Sequence, residues 1–203
     1  MPNVWTVVVA AGTGSRFGGP KQFETLGGRR VLEWSVATAK SASQGVVVVL
    51  PPGHGGVEGG ATRSASVRNG LAHVPAQAEI VCIHDAARPF ASEELFARVV
   101  NAVIKGADGA VPGLPVADTI KQVDTSGRVV GTPDRRFLRS VQTPQAFRAA
   151  ILRRAHDGAP ESTDDAALVE AVGGRVVVVD GEPDNRKLTV PEDLEWARLR
   201  VGP

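Results

Sequence analysis

Apolar runs rich in valine and isoleucine recur along the chain, and between them apolar residues fall three or four apart. Residues 4–10, 45–50, 80–84, 110–114 and 175–180 read as strands. Several are apolar almost throughout, as strands buried on both faces must be. Residues 31–41 carry Leu32, Val36 and Ala39 at helical spacing, and residues 64–73 carry Val67 and Leu71 on one face. Ser92 caps a helix that turns Leu95, Val99, Ala102 and Val103 inward, with Glu93 and Glu94 in its first turn, where the helix dipole favours them. Residues 53–60, with five glycines, read as a loop, and residues 144–154 as helical. A further helix starts at Ser162 or Thr163, has Asp164 and Asp165 in its first turn, and ends at Gly173-Gly174. Thr189-Val190-Pro191-Glu192 reads as a capping box opening the last helix.

Strands alternating with helices imply an α/β chain with a mostly parallel sheet, helices on both faces. Ligands of such sheets sit beyond the carboxyl ends of the strands. Two segments fall at that edge. One is Val7 to Lys21, where a β-branched strand breaks into Gly12, Thr13, Gly14 and Ser15, followed by Arg16 and Lys21. Glycines there let backbone N–H groups approach a phosphate, and the two cations would act on the same anion. This is not a Walker loop, because Gln22 follows Lys21, and Phe17 stands where a dinucleotide fingerprint needs a small residue. The second segment is His84-Asp85-Ala86-Ala87-Arg88-Pro89. An aspartate ending a buried strand can hold Mg²⁺ or a sugar hydroxyl, and Arg88 can hold an anion. The plainer reading is an Asp85–Arg88 pair that shapes the loop, with His84 structural.

Between residues 118 and 143 the pattern changes. Two alternating stretches flank Asp124-Thr125-Ser126-Gly127, which makes a β-hairpin inserted into the α/β chain. A lone hairpin is marginal in water, so it must pack on something: a second copy of the chain is the economical support, its own domain the plainer one. Arg135 and Arg136 follow on the return limb, either as plain surface charge or, where the arm reaches a second copy, with one of them completing that copy's site. Asp184-Asn185-Arg186-Lys187, after the last strand, brings one more lysine near the sheet edge.

Composition narrows the remainder. The 203 residues fit one domain, residues 1–203, with the arm at about 118–143. Lys+Arg 23 against Asp+Glu 22 leaves no global charge to draw nucleic acid or membrane. The single Cys82 excludes an intrachain disulfide and sits in an apolar run, as a buried thiol would. With no leader or membrane-span signal, the chain reads as cytoplasmic.

The motifs Ala10-Ala11-Gly12-x-Gly14-x-Arg16, Pro20-Lys21, Gly59-Gly60-x-x-Arg63-x-x-Ser66, His84 to Pro89, Asp118-Thr119-Ile120-Lys121, Thr143-Pro144-Gln145, Thr163-Asp164-Asp165-Ala166 and Asp184-Asn185-x-Lys187 occur in this order. In them the chain resembles the 2-C-methyl-D-erythritol 4-phosphate cytidylyltransferases of the non-mevalonate isoprenoid pathway. Val9, where the family often has proline, and Ala61, where an acidic residue is frequent, depart from it. The resemblance implies a Rossmann-like nucleotidyltransferase fold, CTP as donor, Mg²⁺ as cofactor and a homodimer joined through the arms. It implies catalytic roles for Arg16, Lys21, Lys187 and the partner chain's counterpart of Arg135. Ala10, Ala11, Gly12 and Gly14, with Gly60 and Ser66, would hold the cytidine and phosphates. Arg63, Asp85, Arg88, Thr119 and Thr163 would bind substrate, Asp85 also being the candidate metal ligand. The alternatives are a cytidylyltransferase for another polyol phosphate, such as ribitol 5-phosphate, and a nucleotide-binding regulator without turnover.

Overall fold

The computed structural model describes residues 2–202. In chain order it contains β1 (Val4–Val9), a 3-10 turn (Lys21–Phe23), β2 (Thr25–Leu26), β3 (Arg29–Arg30), α1 (Val31–Ala42), β4 (Gly45–Leu50), β5 (Val57–Glu58) and α2 (Arg63–Leu71). Then come β6 (Ile80–Asp85), α3 (Glu93–Ile104), β7 (Gly109–Pro115), β8 (Gln122–Val123), β9 (Val129–Gly131) and a second 3-10 turn (Arg135–Phe137). The chain closes with β10 (Arg139–Val141), β11 (Gln145–Arg148), α4 (Ala149–His156), α5 (Asp165–Ala171), β12 (Val176–Asp180) and α6 (Pro191–Val201).

The main sheet runs β10-β7-β11-β6-β1-β4-β5, with β12 on β7. Pairings β1–β4, β1–β6, β4–β5 and β7–β12 are parallel, while β10 and β11 run antiparallel to their neighbours. Alternate residues of each strand feed opposite cores. Val7, Val49, Val81, Ile83 and Phe147 meet Val67 and Leu71 of α2 and Leu152 and Val169 of α4 and α5. On the other face, Val8, Ile80, Cys82 and Ala146 meet Ala39 of α1 and Leu95, Phe96, Val99 and Val103 of α3. Ser92 caps α3 as expected, its Oγ accepting from the Leu95 N–H at 3.0 Å. From β1 the chain moves to β4 on one side and later returns to β6 on the other, so the sheet's switch point lies at the carboxyl ends of β1 and β6.

Three sequence expectations need correction. Residues 144–154 were expected to be one helix; they form β11 followed by α4. Ala146 and Phe147 are fully buried on opposite faces of a strand wedged between β6 and β7, so the vacancy in the sheet overrides helix-forming composition. The glycine-rich stretch 53–60, expected to be all loop, contains β5 at the sheet edge. The final helix is opened not by Glu192 but by Asp193, whose Oδ2 accepts from the N–H groups of Thr189 and Val190 at 2.7 and 3.0 Å.

Within the arm only short β8 and β9 pair with each other, and they form a separate sheet from the main one. Asp124 Oδ1 accepts from the N–H groups of Ser126 and Arg128 and from the Ser126 hydroxyl, which fixes the turn the sequence announced.

Candidate active site

Val9 lies opposite Asp85 in the β1–β6 register, so the glycine turn leaves the sheet beside that carboxylate. The turn closes on Gly14: the N–H groups of Phe17, Gly18 and Gly19 all donate to its carbonyl, at 2.8, 3.0 and 3.2 Å. Gly14 has φ of +69°, and a Cβ there would lie 1.7 Å from the Gly19 carbonyl oxygen, so only glycine fits. Gln22 Nε2 then donates to the Gly12 carbonyl at 3.1 Å, folding the Lys21 turn back over the loop.

These pieces enclose one side of a cavity of about 690 Å³, whose lining includes the turn with Arg16 and Lys21, then Pro51, Gly60 and Ser66, and Arg63, Asp85 and Lys187. Ala10, Ala11, Gly12 and Gly14 also line it. Gly60 donates its N–H to Ser66 Oγ at 3.1 Å, joining the second glycine pair to α2.

Lys187 is delivered by a framework around Gln142 and Asn185. Gln142 Nε2 donates to the Glu182 carbonyl at 2.8 Å and its Oε1 accepts from the Glu182 N–H at 3.0 Å. Asn185, fully buried, donates to the Thr143 carbonyl at 2.8 Å, and the Leu188 N–H donates to the Ala87 carbonyl at 2.8 Å. The loop before α6 is thus sewn to the strand end that carries Asp85. Asn185 enters the sequence reading only as part of the Asp184-Asn185-x-Lys187 motif, with no role of its own, and Gln142 not at all; its only signal is its closeness to Thr143-Pro144.

Lys187 Nζ lies 2.6 Å from Asp85 Oδ2, and Arg63 Nε lies 3.5 Å from Asp85 Oδ1. Arg63 Nη1 also donates to Asp165 Oδ2 at 2.7 Å. Burial alone would raise the Asp85 carboxyl, but Arg63 and Lys187, with Arg88 behind them, hold it well below the usual carboxylate range. The Asp85–Arg88 pair weighed from sequence does not form. Arg88 instead donates to the carbonyls of Asn185 at 2.7 Å and Val141 at 3.4 Å.

Lys21 has its ammonium pushed down from the ordinary lysine range, first by burial and then by Lys187 and Arg16 nearby. Among the described residues neither Arg16 nor Lys21 forms an ion pair. The cavity lining carries Arg16, Lys21, Arg63 and Lys187 against the single carboxylate of Asp85. Such an excess of fixed positive charge in a partly dry cleft calls for a multiply charged anion.

Other expected site residues lie outside this cavity. Thr163 lines a neighbouring pocket of about 480 Å³ with Arg63 and Thr62. Thr119 and Arg135 belong to the exposed arm, and Arg135 donates to the Ala117 carbonyl rather than toward its own chain's cavity.

His84 and Cys82 are structural, as their setting in the strand suggested. Both are fully buried, and burial pushes the Cys82 thiol up to about 12. His84 Nδ1 contacts Thr143 Oγ1 at 3.1 Å, and burial pushes the imidazole from 6.5 down to about 4 despite the adjacent Asp85. The unfolded chain therefore takes up this proton first as pH falls. Stability due to the uncharged ring is intact above 6.5 and declines between 6.5 and 4, by about 3 kcal/mol in all. Urea unfolding at pH 7 and pH 4.5 should show wild-type protein losing about 2 kcal/mol more than His84→Gln protein. Equal losses would remove His84 as the source.

The model of the 2-C-methyl-D-erythritol 4-phosphate cytidylyltransferase family matches residues 4–202. The 2-C-methyl-D-erythritol 4-phosphate cytidylyltransferase of Rhodococcus opacus is 47% identical, over 98% of this chain and 95% of that protein. A bifunctional enzyme IspD/IspF of Solidesulfovibrio magneticus is 44% identical over 95% of this chain, which spans 56% of that longer protein. The crystal structure of the Thermus thermophilus cytidylyltransferase superposes with a TM-score of 0.83 at 40% identity, covering 99% of both chains. That of the 4-diphosphocytidyl-2C-methyl-D-erythritol synthase of Anaerococcus prevotii gives 0.85 at 30% identity, covering 98% of both. With the cationic cleft at its sheet edge, this chain belongs to the 2-C-methyl-D-erythritol 4-phosphate cytidylyltransferase family.

Proposed function

We propose that this chain transfers CMP from CTP to 2-C-methyl-D-erythritol 4-phosphate, yielding 4-diphosphocytidyl-2-C-methyl-D-erythritol and pyrophosphate. The observation that carries this reading is the convergence of Arg16, Lys21, Arg63 and Lys187 on one cavity beside the glycine turn. An oxygen of the ester phosphate attacks the α-phosphorus of CTP. A new P–O bond forms, the bond from the α-phosphorus to the β-phosphate oxygen breaks, and its electron pair leaves on pyrophosphate.

A phosphate monoester has a second pKa of about 6 and is already largely dianionic at neutral pH, so the reaction needs no general base. His84, the nearest imidazole in sequence to Asp85, is buried and does not line the cavity. The obstacle is bringing two anions together. Arg16 and Lys21, held by the glycine turn and without carboxylate partners among the described residues, offset that repulsion and meet charge growing on the α-phosphoryl and leaving groups. Lys187, kept in place by Asp85, positions the acceptor phosphate.

Mg²⁺ is the proposed cofactor. Among the described residues no group of three or more His, Cys, Asp or Glu can hold a metal, and Asp85 alone of the carboxylates lines the cavity. Asp85, whose oxygens face Lys187 and Arg63, is the one candidate protein ligand, so the ion would be held largely by water and substrate oxygens. Bound there, the ion would neutralise phosphate charge.

The functional unit is proposed to be a homodimer joined by the arms, in which Arg135 and Thr119 serve the partner's site. Its support is apolar surface concentrated on the arm: Phe137 is 82% exposed, and Val123, Val129 and Val130 each more than half. A cytoplasmic location fits the lone buried Cys82, and no helix among the described residues is long and apolar enough to cross a membrane.

Pyrophosphate release tests the function. CTP, Mg²⁺ and methylerythritol phosphate together should release it stoichiometrically with the cytidylylated product. Omitting the acceptor or adding EDTA should stop release, and excess Mg²⁺ should restore it. Faster turnover with ribitol 5-phosphate would move the substrate assignment to that polyol. No turnover with either would sink the reading.

A further inference from the structure

The Asp85 cluster continues inward, away from the cavity. Arg63, the first residue of α2, joins Asp85 to Asp165, the first residue of α5. Asp165 is fully buried, and its Oδ1 lies 3.1 Å from Nε2 of His156, the last residue of α4, whose side chain is 4% exposed. Neither His156 nor Asp165 lines the cavity. For stability alone, apolar side chains of similar volume would serve this interior as well or better than a buried charged set.

The geometry points to a second use. Each oxygen of Asp165 has its own partner: Oδ1 faces His156 and Oδ2 faces Arg63 Nη1. Occupied in this way, Asp165 takes only one edge of the guanidinium. Arg63 can then keep both Nε and Nη2 at 3.5 Å from Asp85 Oδ1. Free Oδ1, and the bidentate fork with Asp165 becomes available, which is the stronger arrangement for arginine and carboxylate. Arg63 would turn from Asp85 toward Asp165, and Asp85 would close on Lys187 instead.

We propose that His156 and Asp165 are positioning residues for the cytidylyl-transfer site: by dividing Arg63 between two carboxylates they set how tightly Asp85 holds Lys187. This rests on the reading of Lys187 as the cation that positions the acceptor phosphate. It assigns the two buried residues the balance of a four-member chain, Asp165–Arg63–Asp85–Lys187, and the two variants at its inner end push that balance in opposite directions. His156→Leu frees Oδ1, drives Arg63 inward and tightens Asp85 on Lys187. Asp165→Asn weakens the inner hold on Arg63, sends it to Asp85 and loosens Lys187.

The test reads Lys187 directly. Wild type, His156→Leu, His156→Gln and Asp165→Asn proteins are labelled with an amine-reactive acetylating reagent, and modification of the Lys187 peptide is followed by mass spectrometry. His156→Leu should label several-fold more slowly than wild type and Asp165→Asn several-fold faster. His156→Gln, whose amide places an N–H where Nε2 lies, should return to the wild-type rate. In turnover, His156→Leu should lose about tenfold in kcat/KM for the polyol phosphate, with KM for CTP within twofold and His156→Gln restored. Simple loosening of the fold would speed labelling in all variants, and that result, or one common rate, would overturn the proposal. Should His156→Leu not fold, the Asp165→Asn and His156→Gln rates decide it. Absence of turnover in wild type would refute the functional reading, while the labelling rates would still judge the chain of ion pairs.

Discussion

Lys21→Ala protein is expected to show kcat lowered by about 10³-fold, with KM for CTP changed only a few-fold. The argument starts from the position of this ammonium. It is partly desolvated, has no ion-pair partner among the described residues, and sits with Arg16 and Lys187 around the same cavity. Like-charge crowding and burial both make its charge costly in the free protein. That cost is relieved most when negative charge is greatest nearby, as it is while the α-phosphoryl group is five-coordinate and pyrophosphate departs. An interaction that strengthens between ground state and transition state appears in kcat rather than in KM. The loop that carries Lys21 is fixed by Gly14 and by the Gln22–Gly12 hydrogen bond, so truncating the side chain should not disturb the turn. Single-turnover kinetics with saturating CTP measure the step. Near-normal kcat with a large rise in KM would make Lys21 a binding residue only.

Much of this site was readable in the sequence because it hangs on strand ends. A β-branched run ending in glycine and a buried strand ending in Asp85 place two segments at one sheet edge before any coordinates exist. The register of Val9 with Asp85 is the physical form of that expectation. The presence of Arg16 and Lys21 at the cavity follows from their spacing after the turn. What the sequence hid depends on contacts between distant segments. Nothing local tells that Arg63 chooses Asp85 and Asp165, residues 22 and 102 positions away, or that Arg88, three residues from Asp85, turns to carbonyls instead. Nor does composition tell that residues 145–148 fill a strand position between β6 and β7, since their local pattern suits a helix as well. Buried pairing and sheet insertion are decided by the space that other elements leave.

The arm leads to the second large effect. Arg135→Ala and Lys21→Ala proteins, each nearly inactive alone, are expected to recover activity when mixed as heterodimers. In a two-fold dimer with exchanged arms, one site of the heterodimer collects both substitutions, and the other collects Lys21 from one chain and Arg135 from its partner. Random association from equal amounts should therefore give about a quarter of wild-type activity per total chain, and isolated heterodimers about half. The expectation rests on where Arg135 stands in its own chain. It is exposed on a 3-10 turn after β9, and Phe137 of the same turn is largely exposed as well. A guanidinium on such an arm can complete a cavity only by reaching across an interface. The measurement needs differentially tagged chains, tandem purification and pyrophosphate release. Stable heterodimers as inactive as their parents would confine each site to a single chain, and Arg135 would then act, if at all, only through folding of the arm.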